Sequence, residues 1–316
     1  MLFLGLFKQL HIDKNIDYSK IRLFSSDKGV IILNLTAFEK PLLMGILNVT
    51  PDSFSDGGRY RSTDLALQHA EQMVKEGVDW IDIGGESTRP GSESVEPDVQ
   101  IERVVPVIKS IRDNLSATIP VSIDTTQSIV AQAAIEAGAT VINDVSAGRD
   151  DAAMFTCAVT YQTPIILMHM QGQPKNMQEN PSYSHVIEDV LAFLLQRAEL
   201  AQQAGIAVNN IILDPGIGFG KRKQDNLLLM AHLESLVDLG YPVLLGASRK
   251  RFMGSVCQVT EPSELAVATA VTTALGVMAG VKLFRVHDVV ENRQALDVTW
   301  AIRAAKIVDA GTSSAG

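Results

Sequence analysis

The chain is short of cysteine, aromatic residues and positive charge, and each shortage removes a class of explanation. Only two cysteines occur among 316 residues, Cys157 and Cys257, far apart and in no metal-like spacing. They fit a reducing compartment and exclude a disulfide framework. Aromatic side chains make up 5%, too few to suggest the stacked platform that holds a sugar on a glycosidase barrel. Lysine and arginine number 27 against 36 acidic residues, a formal charge of -9. A nucleic-acid binder needs a basic footprint to displace counterions, so this balance argues against one. The apolar run at 1–7 is short, with no basic segment before it and no small-residue cleavage site after it. No other apolar stretch reads as long enough to span a bilayer. A cytoplasmic protein without a membrane partner is expected.

What the chain does have, from Pro41 onward, is alternation. Short β-rich apolar runs fall at 42–47, 78–83, 120–123, 140–142, 164–168, 210–213, 242–245 and 281–286. Most are continuous rather than alternating, as parallel strands covered on both faces require. Amphipathic stretches lie between and after them, at 64–76, 98–114, 128–137, 150–160, 183–204, 225–239, 264–279 and 289–305. Glycine follows several of these helices, at Gly77, Gly138, Gly205, Gly240 and Gly280, where a left-handed cap is useful. Eight strands and eight helices in strict order predict a closed (β/α)8 TIM barrel over residues 41–308. An open doubly wound sheet is the alternative, but no Gly-x-Gly-x-x-Gly follows the first strand. Residues 1–40 read as an N-terminal extension with a strand at 30–35, half of a hairpin under the barrel, and 309–316 as a frayed tail.

In such a barrel the C-terminal ends of the strands face the active site, whatever the reaction. Those ends are polar at every strand: Asn48, the run from Gly85 to Arg89, Asp124, Asn143-Asp144, His169, Asp214, Ser248-Arg249-Lys250, and Arg285 with His287. The cations Arg89, Lys250, Arg285 and His287 suit an anionic group such as a diphosphate. Asp124, Asn143 and Asp214 end apolar strands, so burial is expected, and a buried carboxylate needs a matching donor. A planar heterocycle with an amidine-like edge supplies two parallel N–H groups. From the residues alone the reading stops at an anionic, hydrogen-bonding small molecule.

The motifs narrow it. GILNVTPDSFSDGG at 45–58, DIGGESTRPG at 82–91, SIDT at 122–125 and INDV at 142–145 resemble those of the dihydropteroate synthases, a family of pterin-binding enzymes. So do MHMQG at 168–172, DPGIGFGK at 214–221, GASRK at 246–250 and RVHD at 285–288, all in order and each at a strand end. The resemblance implies joining of a pterin diphosphate to p-aminobenzoate, with Mg2+ as cofactor and a homodimeric assembly. It implies that Asp124, Asn143, Asp214 and Lys250 hold the pterin ring, with Lys250, Asp124 and Asp214 counted as catalytic. Asn48, Thr88, Arg285 and His287 are implied for the diphosphate, and Asn48 and Asp56 for the magnesium. Phe54, Thr88, Arg89, Pro90, Phe219 and Ser248 are implied for p-aminobenzoate. The loops 49–61 and 86–95 are implied to close over both substrates. Gln127, a position often basic in the family, departs from the pattern, as does the weakly acidic stretch 95–100.

Blander readings stand beside these. DPGIGFGK read alone is as much a turn as a phosphate loop, and its Lys221 reads as a surface or structural residue. A lone strand-end histidine such as His169 is more often a satisfied structural group than a ligand, and no His/Cys set marks a zinc site. Asp144 reads as a scaffold partner, and Cys257 as structural. Two other functions share a pterin pocket: a non-catalytic pterin binder and a methyltetrahydrofolate-dependent methyltransferase. The first lacks amine-site residues that are present here; the second needs neither the first-loop signature nor an anion site at Arg285 and His287.

Overall fold

The computed structural model describes residues 24–25, 31–32, 40–50, 59–87, 91–115 and 118–313; residues 24–25, 31–32, 59–61 and 307–313 are described as backbone only. In the extension, β1 (Phe24–Ser25) pairs antiparallel with β2 (Ile31–Ile32), a two-residue hairpin.

Eight parallel strands follow: β3 (Leu42–Asn48), β4 (Trp80–Gly84), β5 (Val121–Asp124), β6 (Val141–Asp144), β7 (Ile165–Met168), β8 (Ile211–Asp214), β9 (Leu244–Leu245) and β10 (Leu283–Val286). Their order in the sheet is β8-β7-β6-β5-β4-β3-β10-β9, and a parallel bridge from Leu213 to Val243 joins the two edges. The sheet is therefore a TIM barrel, as expected. Each strand splits its side chains by parity, because successive residues point to opposite faces. One set, with Leu43, Leu47, Ile81, Ile83, Ile123 and Ile142 among it, packs under the helices in the main core. The other set fills the barrel. Its lower layer is apolar: Met44, Trp80, Val141, Ile166, Ile212, Leu244 and Leu283 form one buried cluster with Leu42. Two residues further along the same strands come Ile46, Asp82, Asn143, Met168, Asp214, Gly246 and Arg285. The change from apolar to polar along one interior row is what builds a site above a dry floor.

The helices match the expected stretches, with local differences. They are α1 (Arg59–Lys75), α2 (Pro97–Asn114), α3 (Ser128–Glu136), α4 (Met154–Thr160) and α5 (Val186–Gln203). The stretch expected at 225–239 divides at His232 into α6 (Lys223–Ala231) and α7 (Leu233–Val237). A short helix, α8 (Arg251–Cys257), follows the Ser-Arg-Lys turn, where none was expected. After it come α9 (Ala266–Ala279) and α10 (Val289–Ser313). Helix α10 runs to Ser313, across the first residues of the stretch expected as a tail. All five helix-ending glycines have positive φ. At Gly280, with φ 105°, the left-handed turn lets its N–H reach the carbonyls of Gly276 and Val277 and close α9.

One expectation about apolar runs is also corrected. The 18 residues Pro262–Ala279, with mean hydropathy 1.3, are long and apolar enough by those measures to cross a membrane. In the fold they form a 3-10 turn, Pro262–Leu265, and then α9. One face of α9, including Thr269, Thr273, Gly276 and Val277, is buried. The opposite face leaves Val267, Val271, Leu275 and Met278 exposed, and Val298 and Ile302 are exposed on the adjacent α10.

Candidate active site

The strand registers bring the polar ends together before any side chain is considered. Asp82 pairs with Ser122, Gly84 with Asp124, and Asp124 with Asn143 across neighbouring strands. Arg285, from β10 on the far side of β3, reaches across the barrel. Its Nε donates to Asp82 Oδ2 at 2.7 Å and its Nη2 to Asp124 Oδ2 at 2.8 Å. Burial works to lower the Arg285 pKa, but the Asp82 and Asp124 charges outweigh it and hold the guanidinium above its usual range. Asn143 Nδ2 donates to the same Asp82 carboxylate at 3.3 and 3.4 Å.

Asp124 has one oxygen committed to Arg285; the other, Oδ1, is buried without a hydrogen-bond partner. Burial pushes its carboxyl up to about 7, against Arg285, which lowers it, with Asp82, Glu86 and Asp144 adding repulsion. Asp214 Oδ1 accepts the Gly216 N–H at 2.7 Å. Burial raises Asp214 to about 6, against that bond and the charges of Lys250, Lys221 and Arg285. Asp124, Asn143 and Asp214 thus lie at the C-terminal ends of β5, β6 and β8, at one end of the barrel, and the Lys250 charge is felt at Asp214.

At this end of the barrel lies a cleft of about 610 Å³, lined by Asn48, Phe219, Ser248, Lys250, Arg285 and His287 among others; Asp124, Asn143 and Asp214 are not among its lining residues. Six residues assigned from sequence to three different tasks thus share one cavity. Lys250 Nζ stands 4.0 Å from the centre of the Phe219 ring, a cation–π distance that joins the expected pterin and amine sides. The Ser248 hydroxyl lies 3.0 Å from His287 Nδ1 and accepts the His287 N–H at 3.1 Å. Arg249, in a left-handed conformation with φ 57°, clamps Asp288 with two hydrogen bonds, which ties the Ser-Arg-Lys turn to the end of β10. Further out, Arg222, Lys223 and Arg251 line the cleft, and no aspartate or glutamate is among its described lining residues.

Several neighbours are scaffold. Lys221 is buried, not at the surface: its Nζ lies 2.9 Å from His169 Nδ1 and donates to the carbonyls of His169, Gly216 and Phe219. Burial pushes Lys221 down to about 7 and His169, helped by the charges of Lys221 and Arg149, down to about 2. His169 is therefore a neutral acceptor at Nδ1, the satisfied structural histidine expected. Asp144 accepts from Ser146 and Gly148 backbone N–H groups and from the Ser146 hydroxyl, which fixes the turn after β6. Glu86 fastens the loop after β4 by accepting Val95 N–H and Gln100 Nε2.

Reading strand ends alone missed two groups. Asp82 lies inside β4, two residues before its end, so it carries no end-of-strand signal; only parity within the barrel reveals it. Val145, Met168, Met170, Met177 and Phe219 form a separate buried apolar cluster at the same mouth, a surface suited to the face of a flat ring. Phe54, Asp56, Thr88, Arg89 and Pro90 lie outside the described residues. Among the described residues no group of three or more His, Cys, Asp or Glu side chains could hold a metal. Asn48 supplies a neutral side-chain oxygen at the cleft. That fits an ion carried in on a diphosphate, since magnesium keeps phosphate and water oxygens for most of its shell.

The family model described as pterin binding enzyme matches residues 44–287. The chain belongs to the pterin-binding enzymes. It is 46% identical over 278 residues to the dihydropteroate synthase of Bacillus subtilis, covering 88% of this chain and 91% of that one. The dihydropteroate synthase of Xanthomonas albilineans, solved with 4-aminobenzoic acid, is similar in structure at a TM-score of 0.80 and 40% identity, over 87% of this chain and 96% of that one. A second structure of that enzyme, in complex with 7,8-dihydropteroate, gives 0.75 and 38%, over 84% and 95%. As a pterin-binding enzyme, the chain matches its family over most of the barrel and not merely at one motif. The matched segment begins inside β3 and ends at His287, so it takes in every strand end that lines the cleft.

Proposed function

We propose that the protein is a dihydropteroate synthase, which condenses 6-hydroxymethyl-7,8-dihydropterin diphosphate with p-aminobenzoate to give 7,8-dihydropteroate and diphosphate. The observation that carries this reading is the unpartnered oxygen of Asp124, buried in a barrel whose exit is lined by cations. Leaving a buried acceptor unpaired costs about 1–3 kcal/mol, and a ring N–H removes that cost while the cations take the ring's anionic substituent.

In this reading Asp124, Asn143, Asp214 and Lys250 hold the pterin, with Val145, Met168 and Phe219 against its faces. Arg285, His287, Asn48 and Thr88 face the diphosphate; Phe54, Thr88, Arg89, Pro90, Phe219 and Ser248 surround the amine. The bond between the pterin methylene carbon and the diphosphate oxygen breaks, with its electrons leaving on the diphosphate. The amine nitrogen then forms the C–N bond and gives up a proton. Positive charge on the pterin in between is stabilised by the Asp124 and Asp214 carboxylates, and the cleft cations stabilise the leaving group. Asn48 and Asp56, with the diphosphate, would hold a magnesium ion, which would further neutralise the leaving group. Closure of the loops 49–61 and 86–95 keeps water from competing with the amine.

The same reading makes the protein a homodimer in the cytoplasm. The exposed apolar stripe of α9, beside Val298 and Ile302 of α10, supports a second copy as what covers that face.

The experiment is a direct assay of purified protein for dihydropteroate and diphosphate, with and without magnesium. Magnesium-dependent release of both, inhibited by sulfonamides in competition with p-aminobenzoate, is the expected result. Pterin binding without turnover would make the chain a non-catalytic binder instead.

A further inference from the structure

The reaction assigned above uses Asp124, Asn143 and Arg285 but leaves Asp82 without a task. Asp82 has no exposed surface, so no substrate reaches it. Yet its carboxylate gathers three donors from three other strands: Arg285 Nε at 2.7 Å, Asn143 Nδ2 at 3.3 Å and the Ser122 hydroxyl. Ser122 in turn accepts the Trp80 indole N–H at 3.0 Å, so the lower apolar layer anchors the cluster.

We propose that Asp82 is the positioning residue for the pterin and diphosphate end of this site, acting through Arg285 and Asn143. Two geometric facts carry this. A planar guanidinium held at one nitrogen can still turn about that contact; Arg285 is held by Asp82 at Nε and by Asp124 at Nη2, and the two bonds together fix its orientation. An ionised carboxylate only accepts, so Asn143 must turn Nδ2 to Asp82, which leaves its Oδ1 as the acceptor for a ligand N–H. Asp82 thus sets the hydrogen-bonding sense of one pterin contact and the orientation of the half-buried Arg285 cation. Ser122 and Trp80 keep it from turning away.

The inference rests on the synthase reading, and the test separates the two. Wild-type turnover is measured first; its absence sinks the reading without touching Asp82. With turnover present, Asp82→Asn keeps the size and the acceptor oxygen but removes the charge. The KM for the pterin diphosphate is expected to rise by about tenfold or more, with the KM for p-aminobenzoate within about twofold of wild type. Ser122→Ala, which keeps the charge and frees one carboxylate oxygen, is expected to move the same KM in the same direction by less. Because Asp82 acts through Arg285, adding Asp82→Asn to Arg285→Ala is expected to cost far less than Asp82→Asn costs alone. Equal losses toward both substrates, or full additivity with Arg285→Ala, would overturn the proposal. Should Asp82→Asn fail to fold, the Ser122→Ala split decides: a selective pterin effect supports the proposal and an unselective one rejects it.

Discussion

At Asp124, burial and charge pull in opposite directions, and burial wins: the carboxyl rises to about 7 despite its bond to Arg285. An acid whose folded pKa exceeds the unfolded value of about 3.9 adds stability below that value and loses it as pH rises through the folded one. Asp124→Asn removes this dependence. The stability of the variant relative to wild type is therefore expected to grow between about pH 4 and pH 7 and to level off above. Urea denaturation across that range checks it, and a gap that shrinks with pH would contradict the burial argument. Activity moves the other way, since the amide cannot balance positive charge on the pterin. Lys250→Ala and Asp214→Asn are likewise expected to lose about 100-fold or more in kcat/KM while keeping the wild-type far-UV spectrum. Asp124 and Asp214 were legible in the sequence because each ends an apolar strand, on the side where a barrel carries its site, and Lys250 because it sits in the loop after another. Asp82 was not, because a carboxylate within a strand looks from sequence like an outward-facing polar residue until the barrel's parity is known.

Elements show the same divide between what periodicity carries and what it does not. All eight strands were visible, since a strand buried on both faces must be a run of apolar residues. Helix α8 was not: it has seven residues, includes Gly254, and depends on tertiary contacts with α6 and α9 rather than on an amphipathic pattern. The break at His232 was hidden by the leucines on either side of it. The loop 214–221 is the most instructive element, because its sequence read as much as a turn as a phosphate loop and its structure is firmly held. Side chains satisfy the carbonyls of Gly216 and Phe219 from Lys221, of Gly218 from Gln178 and of Gly220 from Tyr183. At Gly216, φ is 64° and an added Cβ would lie 1.9 Å from the His169 carbonyl oxygen, so Gly216→Ala cannot be accommodated without moving backbone. Lys221→Met removes the side-chain donor from three buried carbonyls, of which that of Gly216 keeps the Phe219 N–H. A loss of about 2–4 kcal/mol in stability is expected, and Phe219, carried on the same loop, loses its fixed place under Lys250. The KM for p-aminobenzoate is then expected to rise more than that for the pterin diphosphate. Equal changes in both would show that the loop does not act through Phe219.

Over the whole molecule, charge and apolar surface are both unevenly shared. A chain with 36 acidic and 27 basic residues nevertheless lines its cleft with Arg222, Lys223, Lys250, Arg251 and Arg285 and no described carboxylate. A net negative surface with a positive cleft draws small anions to one place while discouraging long polyanions. Apolar surface is concentrated elsewhere, on α9 and α10. Val267, Val271, Leu275 and Met278 recur every three or four residues, so they form one stripe, and a stripe of that kind is costly to leave in water. A membrane would suit the length and hydropathy of 262–279 but not its buried face, which carries Thr269, Thr272 and Thr273 against the barrel. In the proposed homodimer a second copy, presenting the same stripe about a two-fold axis, would cover the face without unfolding anything. Light scattering on purified protein is expected to give the mass of two chains for the wild type and of one for Leu275→Arg with Val271→Glu. That variant buries no new charge within the subunit, so the barrel and its far-UV spectrum should persist. A wild-type protein that runs as one chain, or a double variant that stays dimeric, would mean that something other than a second copy covers this face.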